Sequence, residues 1–208
     1  MKMQVYKALA DCYFQPDEQL SAAVVTLEHV LQEWIPEQAE QVQYMHQELN
    51  RDGKDLQNLT QEYSRLFVGP FELLAPPFGS VYFKQKGQQP QVMSDSTLDA
   101  EEFYRQAGLN LSQGFNSPPD HISAELEFMY FLLYKEDQAL QKDDPSLALE
   151  YSNLRTSFLQ KHLGLWGPVF AHRVTKTSSS EFYKSLGQIT HAVIHQDKQD
   201  SGVERMPR

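Results

Sequence analysis

The stretch SPPDHISAELEFMYFLLYKEDQAL, residues 117–140, decides how this chain is read. Its opening has the chemistry of a helix start. Ser117 fits the N-cap, Pro118 the first helical position, and Asp120 the third, from which a carboxylate can return a bond to the cap. From Ile122 onward the apolar residues Ile122, Leu126, Phe128, Met129, Phe131, Leu132 and Leu133 wrap more than one face. Such a helix is buried on several sides and needs other helices around it.

Those neighbours are legible on both sides. Val5, Leu9, Cys12 and Tyr13, then Leu20, Val24, Leu27, Val30 and Leu31, recur at helical spacing, with Pro16 between the two sets and Pro36 after the second. Val42, Met45 and Leu49 continue the pattern over 37–52, where Gly53 suits the position just past a helix end. Leu56, Leu59, Tyr63, Leu66 and Phe67 mark a helix over 55–67 that stops at Gly69-Pro70. A further helix is expected over 96–107, capped by Asp95 or Ser96, with acids in its first turns and Gly108 at its end. Segments 146–163, 165–176 and 180–196 complete the set, with breaks at Pro145, Gly164 and the TKTSSS run. No segment reads as a strand. The expectation is one all-α domain over 1–208, of about eight to ten helices, with 198–208 as a flexible tail.

One segment refuses this pattern. RLFVGPFELLAPPFGSVYF, residues 65–83, is apolar and aromatic, yet Gly69, Pro70, Pro76, Pro77 and Gly79 interrupt it. The irregular connection runs from 69 to 93. Loops that long are uncommon in compact domains and are usually functional or disordered, and these aromatics are not the residues of a solvated linker. They can pack a crossover onto the core, or hold a peptide against a rigid turn. Both readings stay open on the residues alone.

Composition narrows the function. The 208 residues carry 18 Lys and Arg against 28 Asp and Glu, a formal charge of −10. That argues against a nucleic-acid partner, which needs clustered cations at the phosphates, and favours basic partners in an encounter. The single cysteine, Cys12, allows neither an internal disulfide nor a thiolate metal cage. It falls at a core position and reads as a small hydrophobe. The first residues, MKMQVYKALADCYF, lack the form of a secretory signal, and no run of about 18 apolar residues is present to span a membrane. A reducing cytoplasm is the expected setting.

Enzyme signatures are scarce. The ten glycines form neither a phosphate-binding loop nor a nucleophile elbow, which speaks against a nucleotide-responsive regulator. His191 and His195 share a helix face at i, i+4, a spacing that can chelate a metal. A metal-dependent hydrolase built on them is the alternative to a binding protein, and it needs a third ligand such as His172 or Asp197. His121 and Glu125 stand at the same spacing and read as a helix-stabilising pair. Of Glu125 and Glu127, at least one is explained by a solvated face. Asp120-His121 falls at a helix start, where the dipole favours the carboxylate. It reads either as a cap or as a polar anchor beside an apolar surface.

Taken together, EYSRLFVGP (62–70), APPFGSVYF (75–83), SDSTLDAEEFYRQAGL (94–109) and SPPDHISAELEFMYFLL (117–133) resemble the TorD/DmsD/NarJ family of cytoplasmic redox-enzyme maturation chaperones. LGLWGPVF (163–170) and FYKSLGQITHAVI (182–194) follow in the same order, so the likeness covers roughly 60–195 and leans towards the DmsD branch. It implies an all-helical fold and no catalysis or cofactor. It also implies a partner: the twin-arginine signal peptide of a molybdoenzyme, held with its apoenzyme until the molybdenum cofactor is inserted and export through the Tat system can proceed. The implied peptide-binding residues are Tyr63, Leu66, Phe67, Pro77, Phe78, Gly79, Ser80, Tyr82, Asp120 and His121. Phe78 stands where the family often has Trp, which keeps the apolar face and loses the indole donor. A monomer or a dimer made by helix exchange is compatible with the long connection.

Overall fold

The computed structural model describes residues 2–50, 55–70, 72–83, 95–109 and 118–202. Among them the chain is all-α. The order is α1 (Lys2–Cys12), α2 (Leu20–Trp34), a 3-10 turn (Pro36–Gln38), α3 (Ala39–Leu49), α4 (Asp55–Tyr63), a π-helical turn (Ser64–Val68), α5 (Gly79–Tyr82), α6 (Asp95–Gln106), α7 (Ile122–Gln141), α8 (Pro145–Lys161), α9 (Leu163–Thr177) and α10 (Glu181–Asp200). The sole extended pairing among the described residues is an isolated antiparallel bridge between Phe78 and His121.

Helix α7 lies between α1 and α8, and α10 lies against α9 and α3. Ile122, Leu126, Phe128, Met129 and Leu132 of α7 are buried, as a helix apolar on several faces requires. Phe131 and Leu133 are only half-buried. The ends of the fold are joined by a polar junction. Asp197 of α10, fully buried, accepts from Tyr6 Oη at 2.7 Å, from Lys2 Nζ at 3.2 Å and from Arg155 at 3.1 Å. A buried carboxylate is tolerated there because three donors compensate its lost water.

Several local expectations change. Helix α7 begins at Ile122, with His121 as N-cap accepting from the Ser123 N–H. Pro119 disfavours helical backbone at Pro118, so the chain makes a turn first, closed by His121 N–H to Pro118 C=O at 3.0 Å. Asp120 therefore precedes the helix, and Ser117 lies outside the described residues. The break before α9 falls at His162 (φ −124°, ψ −97°), and Gly164 lies inside the helix. Helix α10 runs to Asp200, so the first residues of the expected tail are helical. The expected caps at Gly53, Asp95 and Ser96 fall on a residue or on side chains outside those described; residues 84–94 of the long connection also lie outside.

Candidate functional site

Helix α4 passes into the π-helical turn Ser64–Val68, closed by Gly69 N–H to Ser64 C=O at 2.9 Å. Gly69 has φ 97°, a conformation costly for any residue with a Cβ. The chain then turns back along the helix it has left, with Ala75 N–H on Leu66 C=O at 3.0 Å. The guanidinium of Arg173 on α9 donates to Leu74 C=O. The loop is thus bound both to the π-helical turn and to α9.

Its second half is paired to the start of α7. Gly79 N–H donates to Asp120 C=O and Ile122 N–H to Pro77 C=O, each at 2.9 Å. The Asp120 carboxylate accepts the Ser80 N–H at 2.7 Å. Phe78 and His121 meet edge to face, ring centroids 5.4 Å apart. The proline loop and the Asp-His pair, separate in sequence, are one structure. Asp120 serves as a cap, but for the short helix α5 and not for α7.

Beneath the loop lies Trp166 of α9, 1% exposed. Tyr82 stacks on it at 5.6 Å, and a Cβ on Gly79 would stand 3.0 Å from its Nε1. Only glycine lets the loop come so near. The indole N–H is taken by Glu125 at 3.1 Å. The expected His121–Glu125 pair is absent: the His121 Nδ1 accepts from Ser123 N–H, and Glu125 is fully buried. Burial holds its carboxyl well above the usual carboxylate range. Glu127 is the partly exposed one, 3.7 Å from Lys7.

The ten candidate residues separate by accessibility. Tyr63, Phe78 and Tyr82 are half-buried and offer ring surface. Pro77, Gly79, Ser80, Asp120 and His121 are buried and shape the loop from within. Leu66 and Phe67 belong to the core, with Phe67 packed among Tyr13, Tyr63, Phe170 and Tyr183. Beside Tyr63, Glu62 accepts from Arg65, the Ser179 N–H and the Ser178 hydroxyl at 2.7–2.8 Å. Burial pushes its carboxyl up, but these bonds outweigh it and hold the pKa down to about 2. Burial lowers His121 to about 4 against the pull of Asp120, and lowers His162 to about 4 likewise. Trp166, Glu125, His162 and Arg173 carry the floor of this site, and none of them is among the ten residues expected from the sequence. The one readable trace is the glycine at 79, which signals a close approach without naming what approaches.

The metal-hydrolase alternative lacks its ligand set. His191 and His195 stack 6.3 Å apart, but no group of three or more His, Cys, Asp or Glu that could hold a metal ion exists among the described residues. Asp197, one proposed third ligand, is committed to Tyr6, Lys2 and Arg155. No helix among the described residues is long and apolar enough to cross a membrane.

Residues 17–172 match the model of the nitrate reductase delta subunit family. Among curated relatives, the chaperone TorD of Vibrio cholerae (strain O395) is 30% identical over 164 residues, 76% of this chain and 70% of the relative. The Tat proofreading chaperone DmsD of Salmonella typhi is 29% identical over 140 residues, 67% of this chain and 60% of the relative. The aligned stretch therefore spans less than two thirds of the latter protein's length. A crystal structure of an Archaeoglobus fulgidus protein assigned to redox enzyme maturation superposes with a TM-score of 0.61 at 22% identity, covering 93% of each chain, which speaks to the fold.

Proposed function

Because the chain belongs to the nitrate reductase delta subunit family, the TorD/DmsD/NarJ group of redox-enzyme maturation chaperones, we propose that it binds the twin-arginine signal peptide of a molybdoenzyme of the DMSO or trimethylamine-N-oxide reductase kind. It holds the apoenzyme in the cytoplasm while the molybdenum cofactor is inserted, and delays Tat export until then. Its role is maturation of another protein and not catalysis.

The observation that carries this reading is the pairing of the 77–80 loop with 120–122. It gives a preformed edge on which Phe78 and the neighbouring Tyr82 are half-buried, while Tyr63, half-buried at the end of α4, packs on Phe67. Leu165 and Val169 are 53% and 55% exposed on α9, the helix whose Trp166 lies under the loop. Rigid aromatic surface of this kind loses little conformational freedom on binding an apolar segment. The net charge of −10 steers a basic leader towards the chain. An affinity in the micromolar range, about 8 kcal/mol, suffices for a partner that must later be released.

The test is a pull-down with the tagged protein from anaerobically grown cells, comparing wild type with Phe78→Ala. Wild type captures a molybdoenzyme precursor bearing its leader. The variant captures about tenfold less while melting within a few degrees of wild type. Capture of no oxidoreductase precursor, or equal capture by a well-folded variant, sinks the assignment.

A further inference from the structure

Helix α10 carries two histidines on its outer face. His191 and His195 are both exposed, and their rings lie parallel within 11°, centroids 6.3 Å apart. The spacing i, i+4 places both imidazoles over one side of the helix, one turn apart. The backbone beneath them is firmly held. Val193 and Ile194 are buried between them, and glycines bring α9 and α10 into close contact. A Cβ on Gly187 would stand 2.7 Å from Ala171 C=O, and one on Gly167 2.7 Å from Cδ1 of Ile194. Two ligands on such a helix keep their separation better than two on a loop. Neither histidine takes part in the pairing of 77–80 with 120–122.

The surroundings select the kind of ligand. From residue 151 to 196 the sole acidic residue is Glu181. It pairs with Lys184 and stands about 15 Å along the helix from His191. Asp197, near in sequence, is buried and committed to Tyr6, Lys2 and Arg155. The pair therefore offers ring nitrogen without a carboxylate beside it. Calcium and magnesium require oxygen ligands, whereas late first-row divalent ions accept imidazole. His191 is held below its usual pKa, first by burial and then by the neighbouring His195 and His172. Its ring is neutral at pH 7, and a lone pair is available to a metal.

We propose that His191 and His195 bind one divalent ion of the Ni²⁺, Cu²⁺ or Zn²⁺ class in a two-imidazole clip across one turn of α10, with water in the remaining positions. Metal–nitrogen bonds of about 2.0–2.1 Å draw the two ring centres to about 5 Å. Rotamer changes of exposed side chains supply that movement. Two protein ligands bind an ion without making it hydrolytic. A catalytic zinc has three, and no group of three or more His, Cys, Asp or Glu able to hold a metal exists among the described residues. The clip stands on α10 alone and does not depend on the signal-peptide reading.

The test is titration calorimetry of the full chain with Ni²⁺, in a non-coordinating buffer above the histidine pKa range, with Mg²⁺ as the hard-cation comparison. Wild type takes up Ni²⁺ and not Mg²⁺. His191→Gln and His195→Gln each weaken Ni²⁺ binding about tenfold, because the second imidazole no longer adds its effective concentration to the first. His29→Gln, which replaces an exposed histidine on α2, binds as wild type does. The substituted side chains are exposed, so without metal the variants melt with wild type. Excess Ni²⁺ then raises the melting midpoint of wild type by a few degrees more than theirs. No uptake by wild type, equal uptake of Mg²⁺, or an unchanged Ni²⁺ affinity in either His191→Gln or His195→Gln overturns the clip.

Discussion

The backbone N–H of Ser80 donates to Oδ2 of Asp120 at 2.7 Å, across 40 residues of sequence. That bond and the two backbone bonds beside it make the proline loop part of the helical body. Asp120→Ala leaves a buried N–H unpaired and should cost about 2–3 kcal/mol; Asp120→Asn keeps an acceptor and should cost about 1 kcal/mol. Urea unfolding of both variants gives the comparison. Equal stabilities for the two would mean that the bond contributes nothing.

Gly79 and Trp166 give a steric test. A methyl at position 79 would meet the indole at 3.0–3.1 Å, and overpacking of that kind costs about 1–3 kcal/mol. The chain has two tryptophans, so a Trp34→Phe background isolates the emission of Trp166. Gly79→Ala should shift that emission to the red as the ring moves towards water. An unchanged spectrum and an unchanged unfolding midpoint would remove Trp166 from the floor of the loop.

Acid should weaken the fold in two windows. His121 and His162 have folded pKa values of about 4, lowered by burial from 6.5. The unfolded chain therefore binds more protons between those values. The stability tied to the neutral rings is full above pH 6.5 and is lost as pH falls towards 4, up to about 3 kcal/mol each. Glu62, held at about 2 against 4.5, adds a loss between pH 4.5 and 2. Glu125 acts in the opposite sense: its raised pKa favours the fold at low pH, and that contribution fades as pH rises through the folded value. Urea unfolding at a series of pH values, with His162→Gln as control, should show a shallower slope between pH 6.5 and 4 in the variant.

Much of this fold could be read from periodicity. The spacing of Val24, Leu27 and Leu31, or of Leu126, Met129 and Leu132, marks a buried face wherever the helix later packs. Helix starts were harder, because they depend on one or two residues. At 117–122 the second proline moved the start beyond the expected cap. The site was legible only in its halves. The prolines and aromatics of 70–83 and the Asp-His pair each stood out, but their pairing is a long-range contact that no local pattern encodes. Glu125 shows the limit most clearly. A carboxylate within a helix reads as solvent-facing by default, and only the position of Trp166, 41 residues later, shows that it is buried.

The junction at Asp197 bears on how the chain is made. Lys2 and Tyr6 bond to a carboxylate that leaves the ribosome 191 residues after Tyr6. Until α10 has cleared the exit tunnel, the Lys2 and Tyr6 side chains of α1 lack the carboxylate that they bond to. This most non-local of closures must come late, so a protein whose family escorts unfinished enzymes itself closes this junction only after α10 has been made.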